Sequence, residues 1–174
     1  GRSFWFGRRP IVAFTVTDTE DAGDYLTALE LGHAIQEVAD VHLVYRGRDE
    51  WTDLAGIDVL INMSPYFNLD EVTGINPFIT TINWIRQWFD RWAESGSLGS
   101  YDFTLASSDN AARYLADRTA VAAEVMPIAA NLEKMAAGTR REDYASDYCF
   151  NGGSFGVRRE IEYDLDVAAV RGRG

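Results

Sequence analysis

The sequence predicts an α/β fold, a Rossmann-like three-layer sandwich on a mostly parallel sheet. Three observations carry this. Short apolar runs rich in β-branched residues alternate with segments of helical periodicity. The connections between them are short, which favours βαβ units with right-handed crossovers. The apolar runs are nearly continuous, as expected of strands covered on both faces.

In chain order, "IVAFTV" (Ile11–Val16), set between Pro10 and Thr17-Asp18, reads as a buried strand. Residues 24–38 place Ala28, Leu31, Ile35 and Val38 at spacings of three and four, which with Leu29 and Gly32 make one helix face. "VHLVYR" (41–46) and "IDVLINMS" (57–64) read as the second and third strands, followed by the polar connector "PYFNLDEVTGINP". "FITTINWI" (78–85) starts as a fourth strand and runs into a helix near Trp84. There Trp84, Ile85, Trp88, Phe89 and Trp92 fall within about 140° of one another at 100° per residue, the pattern of a helix packed on the sheet by its tryptophans. "YDFTLASS" (101–108) is a fifth strand, 109–117 a helix, and "AAEVMPIAAN" a short strand ending at Pro127. A charged connector (132–147) precedes "YCFNGGSFGVRREIEYDL", which reads strand, glycine turn, helix.

Composition narrows the function. The 174 residues suit one domain of ordinary size or one domain plus part of another. A hydrophobic share of 47%, with five Trp, eight Tyr and nine Phe, is enough for a buried core. Sixteen basic against 27 acidic residues leave a net charge of −11, which repels nucleic-acid backbones. Cys149 is alone, so an internal disulfide and C-x-x-C metal spacing are absent, and a reducing, cytoplasmic setting is expected. No apolar run approaches the roughly 18 residues of a membrane span, and residues 1–10 lack the apolar stretch of a signal peptide.

In parallel sheets ligands bind beyond the carboxyl ends of the strands. That directs attention to residues 17–25, 64–67, 84–86, 107–109 and 151–153. The first of these carries four carboxylates, Asp18, Glu20, Asp21 and Asp24, around a single glycine, Gly23. Such a turn opposes a bound pyrophosphate, and with G-x-G-x-x-G and the P-loop both missing, a dinucleotide or nucleotide-triphosphate enzyme is disfavoured. Helix capping, metal chelation and general-base catalysis stay open for these acids. No second histidine or carboxylate cluster supports a metal, so none is expected.

Trp84 and Arg86 sit where a strand ends; exposed there, an indole stacks on a sugar ring and a guanidinium binds phosphate or hydroxyl. Ser107 and Ser108 lack a G-x-S-x-G elbow, leaving helix capping or a ligand hydrogen bond. His33 and His42 read as structural, and the sequon at Asn62 falls in a strand expected to be buried.

"AFTVTDTEDAGDYLTALELGHAIQE", "INWIRQWFDRW", "YDFTLASSDNAARYL" and "YCFNGGSFGVRREIEYDLD" together resemble bacterial glycosyltransferases of the GT-B type, in the group of CgeB-like and O-antigen or rhamnan-synthesis transferases. The resemblance implies metal-independent transfer of a sugar from a nucleotide-sugar to an acceptor hydroxyl in cell-surface glycan synthesis, without a further cofactor. It implies one half of a GT-B fold: an extension (1–10), an acceptor-side domain (11–147), and the start of, or linker to, a donor-binding domain (148–174) whose remainder is missing, leaving the fragment inactive. Carried onto this chain, Asp18, Thr19, Gly23, Asp24 and Tyr25 line the cleft, Trp84 and Arg86 face the acceptor, and Asn151, Gly152 and Gly153 open the donor domain. Asp24 is the expected base, with Asp18 the alternative. A non-catalytic Rossmann-like scaffold domain is the competing reading.

Overall fold

The computed structural model describes residues 8–20, 22–129, Asn131 and Gly138. The chain separates into two units, Gly1–Met135 and Ala136–Gly174, and the described residues apart from Gly138 belong to the first. The expected start of a donor domain at 148 lies outside the described residues.

The elements run β1 (Ile11–Val16), α1 (Gly23–Ile35), β2 (Asp40–Tyr45), β3 (Asp53–Leu54), β4 (Val59–Asn62), β5 (Gly74–Ile75), β6 (Thr80–Ile85), α2 (Phe89–Glu94), β7 (Phe103–Ala106), α3 (Asp109–Thr119) and β8 (Glu124–Val125). Six strands form one sheet in the order β2-β1-β4-β6-β7-β8, with every neighbouring pair parallel. The α/β class and the layered, mostly parallel sheet are thus as expected. β3 and β5 make a separate two-stranded parallel pair in connectors read as irregular.

The two faces of the sheet follow from the alternation of side chains along each strand. Val12, Phe14 and Val16 join Met63 and Trp84 on one face, under Tyr25, Ala28, Leu31 and Ile35 of α1. Ala13 and Leu60 face the other way onto Leu54, Ile57, Phe67 and Tyr101. Ile85 and Ala106 pack on Trp92, Leu98, Ala111 and Leu115, which seats α2 and α3. Fully burying one such ring, Phe14 for example, is worth roughly 1.5–3 kcal/mol. Leu29, expected on the inner face of α1, is exposed, as is Leu26.

One expectation is corrected. Trp84, Trp88 and Trp92 do not share a helix. Trp84 pairs with Leu105 inside β6, Trp88 precedes α2 in a left-handed conformation (φ 60°), and only Trp92 is helical. Hydrogen bonding of β6 to strands on both sides outweighs a helical spacing that fits the tryptophans by coincidence.

At the amino ends of the strands, the buried Asp58 takes both terminal nitrogens of Arg8 at 2.6 Å and the Ile11 amide at 2.8 Å. Asp102 similarly accepts from the Thr81 amide and hydroxyl, at 2.8 and 3.0 Å. These carboxylates fix the strand starts, on the edge opposite the ligand-binding end of such a sheet.

Candidate functional site

From β1 the chain runs first to β2 and then returns to β4 on the other side of β1. Loops leaving the carboxyl ends of β1 and β4 therefore diverge and leave a crevice, the position where doubly wound sheets hold ligands. A cavity of about 180 Å³ lies there, lined by Thr17, Gly23, Asp24, Ser64, Tyr66, Gln87 and Trp88 among others.

A buried polar row holds its floor. The Thr15 hydroxyl donates to Asn62 Oδ1 at 2.6 Å and accepts from the Met63 amide at 2.9 Å. Asn62 Nδ2 donates to Asn83 Oδ1 and to the Tyr101 hydroxyl, both at 3.0 Å, and Asn62 Oδ1 also accepts from the Ser64 amide at 3.0 Å. Three adjacent strands are thereby tied together one residue before the crevice, which fixes where Met63 and Ser64 turn. Burial pushes the Tyr101 phenol far above its ordinary pKa, so it stays neutral in the network. Asn62 is fully buried, which removes the sequon as a surface feature.

The acidic turn is closed mainly by its own backbone. Asp24 Oδ2 accepts from the Thr17 amide at 2.7 Å and its hydroxyl at 2.8 Å, and Oδ1 from the Tyr25 amide at 3.0 Å. Asp24 thus clamps the end of β1 to the first turn of α1 while still facing the cavity. Asp18 turns away and pairs with Arg48 at 2.6 Å. Thr19 is exposed; its amide donates to the Thr17 carbonyl at 2.8 Å and its carbonyl accepts from the Ala22 amide. Gly23 lines the cavity, and a Cβ there would meet nothing within 4 Å. Tyr25 packs on the core beneath α1, 6.4 Å from the Tyr45 ring.

Trp84 is buried at 3% exposure, with its indole donating to the Met126 carbonyl at 3.0 Å. The exposed position expected for it is instead taken by Trp88, which is 43% exposed and lines the cavity. Arg86 reaches under the start of α1, donating to the Gly23 carbonyl at 3.3 Å and Thr27 Oγ1 at 2.5 Å, with its Nε unpartnered. Burial pulls its pKa below the ordinary value, and the nearby Asp24 charge opposes that shift. The Ser107 amide donates to the Ile85 carbonyl, and Ser108 caps α3 by accepting from the Ala111 amide at 3.2 Å. Neither serine lines the cavity. Asn151, Gly152 and Gly153 lie outside the described residues.

Sequence reasoning missed Gln87, Trp88 and a group of cations at the rim. The Arg46 guanidinium lies 3.9 Å from the Tyr66 ring centroid, and that of Arg91 lies 5.7 Å from it and 4.7 Å from the Trp88 ring. Arg91 also donates to the Tyr66 hydroxyl. A usable signal existed for Arg46, the last residue of the strand expected at 41–46, which the structure ends one residue earlier at Tyr45. None existed for Arg91, which looked like the solvent side of a helix.

Among the described residues no three His, Cys, Asp or Glu side chains gather as a metal site, and no helix is long and apolar enough to cross a membrane. The fold and crevice define a Rossmann-like α/β domain with a polar-aromatic cavity at its switch point. No family model, curated protein or solved structure matches the chain.

Proposed function

We propose that this domain is the acceptor side of a GT-B type glycosyltransferase, transferring a sugar from a nucleotide-sugar to an acceptor hydroxyl in glycan synthesis. The observation that carries this reading is Trp88. A bulky residue at φ 60° costs of order 1–3 kcal/mol, and this one holds its ring exposed over a cavity also lined by Thr17, Ser64 and Gln87. An aromatic face beside hydroxyl and amide groups complements a sugar, which is apolar on its ring face and polar at its edge. In this reaction Asp24 takes the proton of the acceptor hydroxyl as its oxygen bonds to the anomeric carbon and the bond to the nucleotide diphosphate breaks. Thr17 and the Tyr25 amide hold that carboxylate at the cavity wall. A second Rossmann-like domain supplies most of the grip on the donor.

A panel of UDP-, GDP-, CMP- and dTDP-sugars, added to the intact protein in a thermal melt, tests this. A donor at about a hundred times its Kd stabilises the fold by roughly 2.7 kcal/mol, or about 5–10 °C for a domain of this size. No shift with any of them counts against the transferase.

A second reading is a non-catalytic Rossmann-like binding or scaffold domain. It is favoured by the state of the two candidate bases: both oxygens of Asp24 accept hydrogen bonds within the turn, and Asp18 is committed to Arg48.

A further inference from the structure

The chain carries eleven more acidic than basic side chains, so two unpaired arginines meeting at one point stand out against its overall charge. Among the described residues Arg8, Arg9 and Arg48 pair with Asp58, Asp40 and Asp18. Arg46, Arg86, Arg91, Arg113 and Arg118 have no ion pair there, and of these Arg46 and Arg91 meet at one aromatic ring. They come from separate elements, the residue after β2 and the third residue of α2, yet both settle on the ring of Tyr66, which lines the cavity. Two exposed cations gathered on one aromatic residue repel each other, and among the described residues neither has a carboxylate within ion-pairing distance to offset that.

Two of the described acids of the neighbouring turn already have partners. Asp24 on the opposite wall takes three hydrogen bonds and has the Arg86 charge close by, and Asp18 pairs with Arg48. Glu20 is exposed to solvent. Arg46 and Arg91 thus keep two cations together beside the cavity, inside a molecule whose total charge is negative.

We propose that the cavity binds a sugar bearing an oxyanion, a carboxylate or a phosphate, with Arg46 and Arg91 holding the anionic group and Trp88 stacking on the ring. The proposal rests on the sugar-binding reading above and adds the charge of the acceptor to it. Guanidinium groups suit both anions because their donors form a planar fork that matches two oxygens at once. Contact with the rings of Tyr66 and Trp88 holds the guanidinium forks in place, which lowers the ordering cost of binding.

The test titrates the intact protein with glucose, glucuronate, glucose 6-phosphate and inorganic phosphate, reading tryptophan fluorescence and melting temperature at low and high salt. Glucuronate or glucose 6-phosphate is expected to bind at least tenfold more tightly than glucose, with the advantage shrinking at high salt. Which of the two binds more tightly identifies the anion. Arg46→Gln and Arg91→Gln each reduce that advantage roughly tenfold, whereas Arg113→Gln on α3 leaves it unchanged. Equal binding of glucose and the charged sugars, or indifference to both arginine substitutions, overturns the proposal while leaving the transferase reading to the nucleotide-sugar panel. Inorganic phosphate binding as tightly as glucose 6-phosphate also overturns it, because the sugar ring then contributes nothing.

Discussion

Asp24 shows how much a single carboxylate in a turn carries. Its oxygens answer the Thr17 amide, the Thr17 hydroxyl and the Tyr25 amide, so it would hold the turn together whether or not it also moves a proton. Asp24→Asn separates the two roles. A neutral amide accepts fewer and weaker hydrogen bonds, so the variant is expected to lose about 1–2 kcal/mol of stability. If Asp24 is also the base, turnover of the folded fraction falls at least a hundredfold while donor binding persists. Turnover that drops only in proportion to the unfolded fraction removes the catalytic role and favours the binding-domain reading. The acid cluster was visible in the sequence, but its division of labour was not. Asp18 takes its role from Arg48, thirty residues on, and no local pattern contains that partner. Ser108 is the opposite case, since its cap on α3 uses an amide three residues away and could be read directly.

At the scale of elements, local patterns fixed existence and type better than they fixed packing. β1, β2 and α3 fall close to where periodicity set them, because each repeats a simple code over several residues. The tryptophan segment misled because strand pairing with β4 and β7 decides the conformation of Trp84. Gly32 in α1 is a related instance. In a free helix Gly→Ala gains about 1 kcal/mol, but here a Cβ would lie 2.9 Å from Val41 Cγ1, a stiff branched side chain in β2. Overpacking of that kind costs about 1–3 kcal/mol. Gly32→Ala is therefore expected to destabilise the protein in a denaturant melt; a gain in stability would mean that α1 and β2 have room to part.

For the sheet as a whole, its amino ends carry carboxylate anchors and its carboxyl ends open on the cavity. Asp58 is one such anchor, bridging Arg8 and the Ile11 amide where β1 and β4 begin. The Arg8 hydrogen bond holds the Asp58 carboxyl below the usual carboxylate range, against the opposing effect of burial. A carboxylate whose pKa is lowered by folding stabilises the native state above its unfolded pKa and loses that contribution as pH falls toward its folded value. Acid should thus begin to remove the Asp58 contribution below about pH 4. Asp58→Asn is expected to melt lower than wild type at pH 7, with the gap narrowing toward pH 2; a gap independent of pH would show that the charge of Asp58 does not matter. The sequence by itself determined the α/β class, the order of most strands and helices, and where the turn after β1 begins, because these depend on periodicity and turn chemistry within a dozen residues. Only the tertiary structure decided that Trp84 is core and Trp88 is surface. It also brought Arg46, Tyr66, Trp88 and Arg91 to one cavity mouth. Those four come from three connections, after β2, after β4 and after β6, and meet only because the strand order places those loops at one end of the sheet, a long-range consequence of sheet pairing that no local pattern encodes.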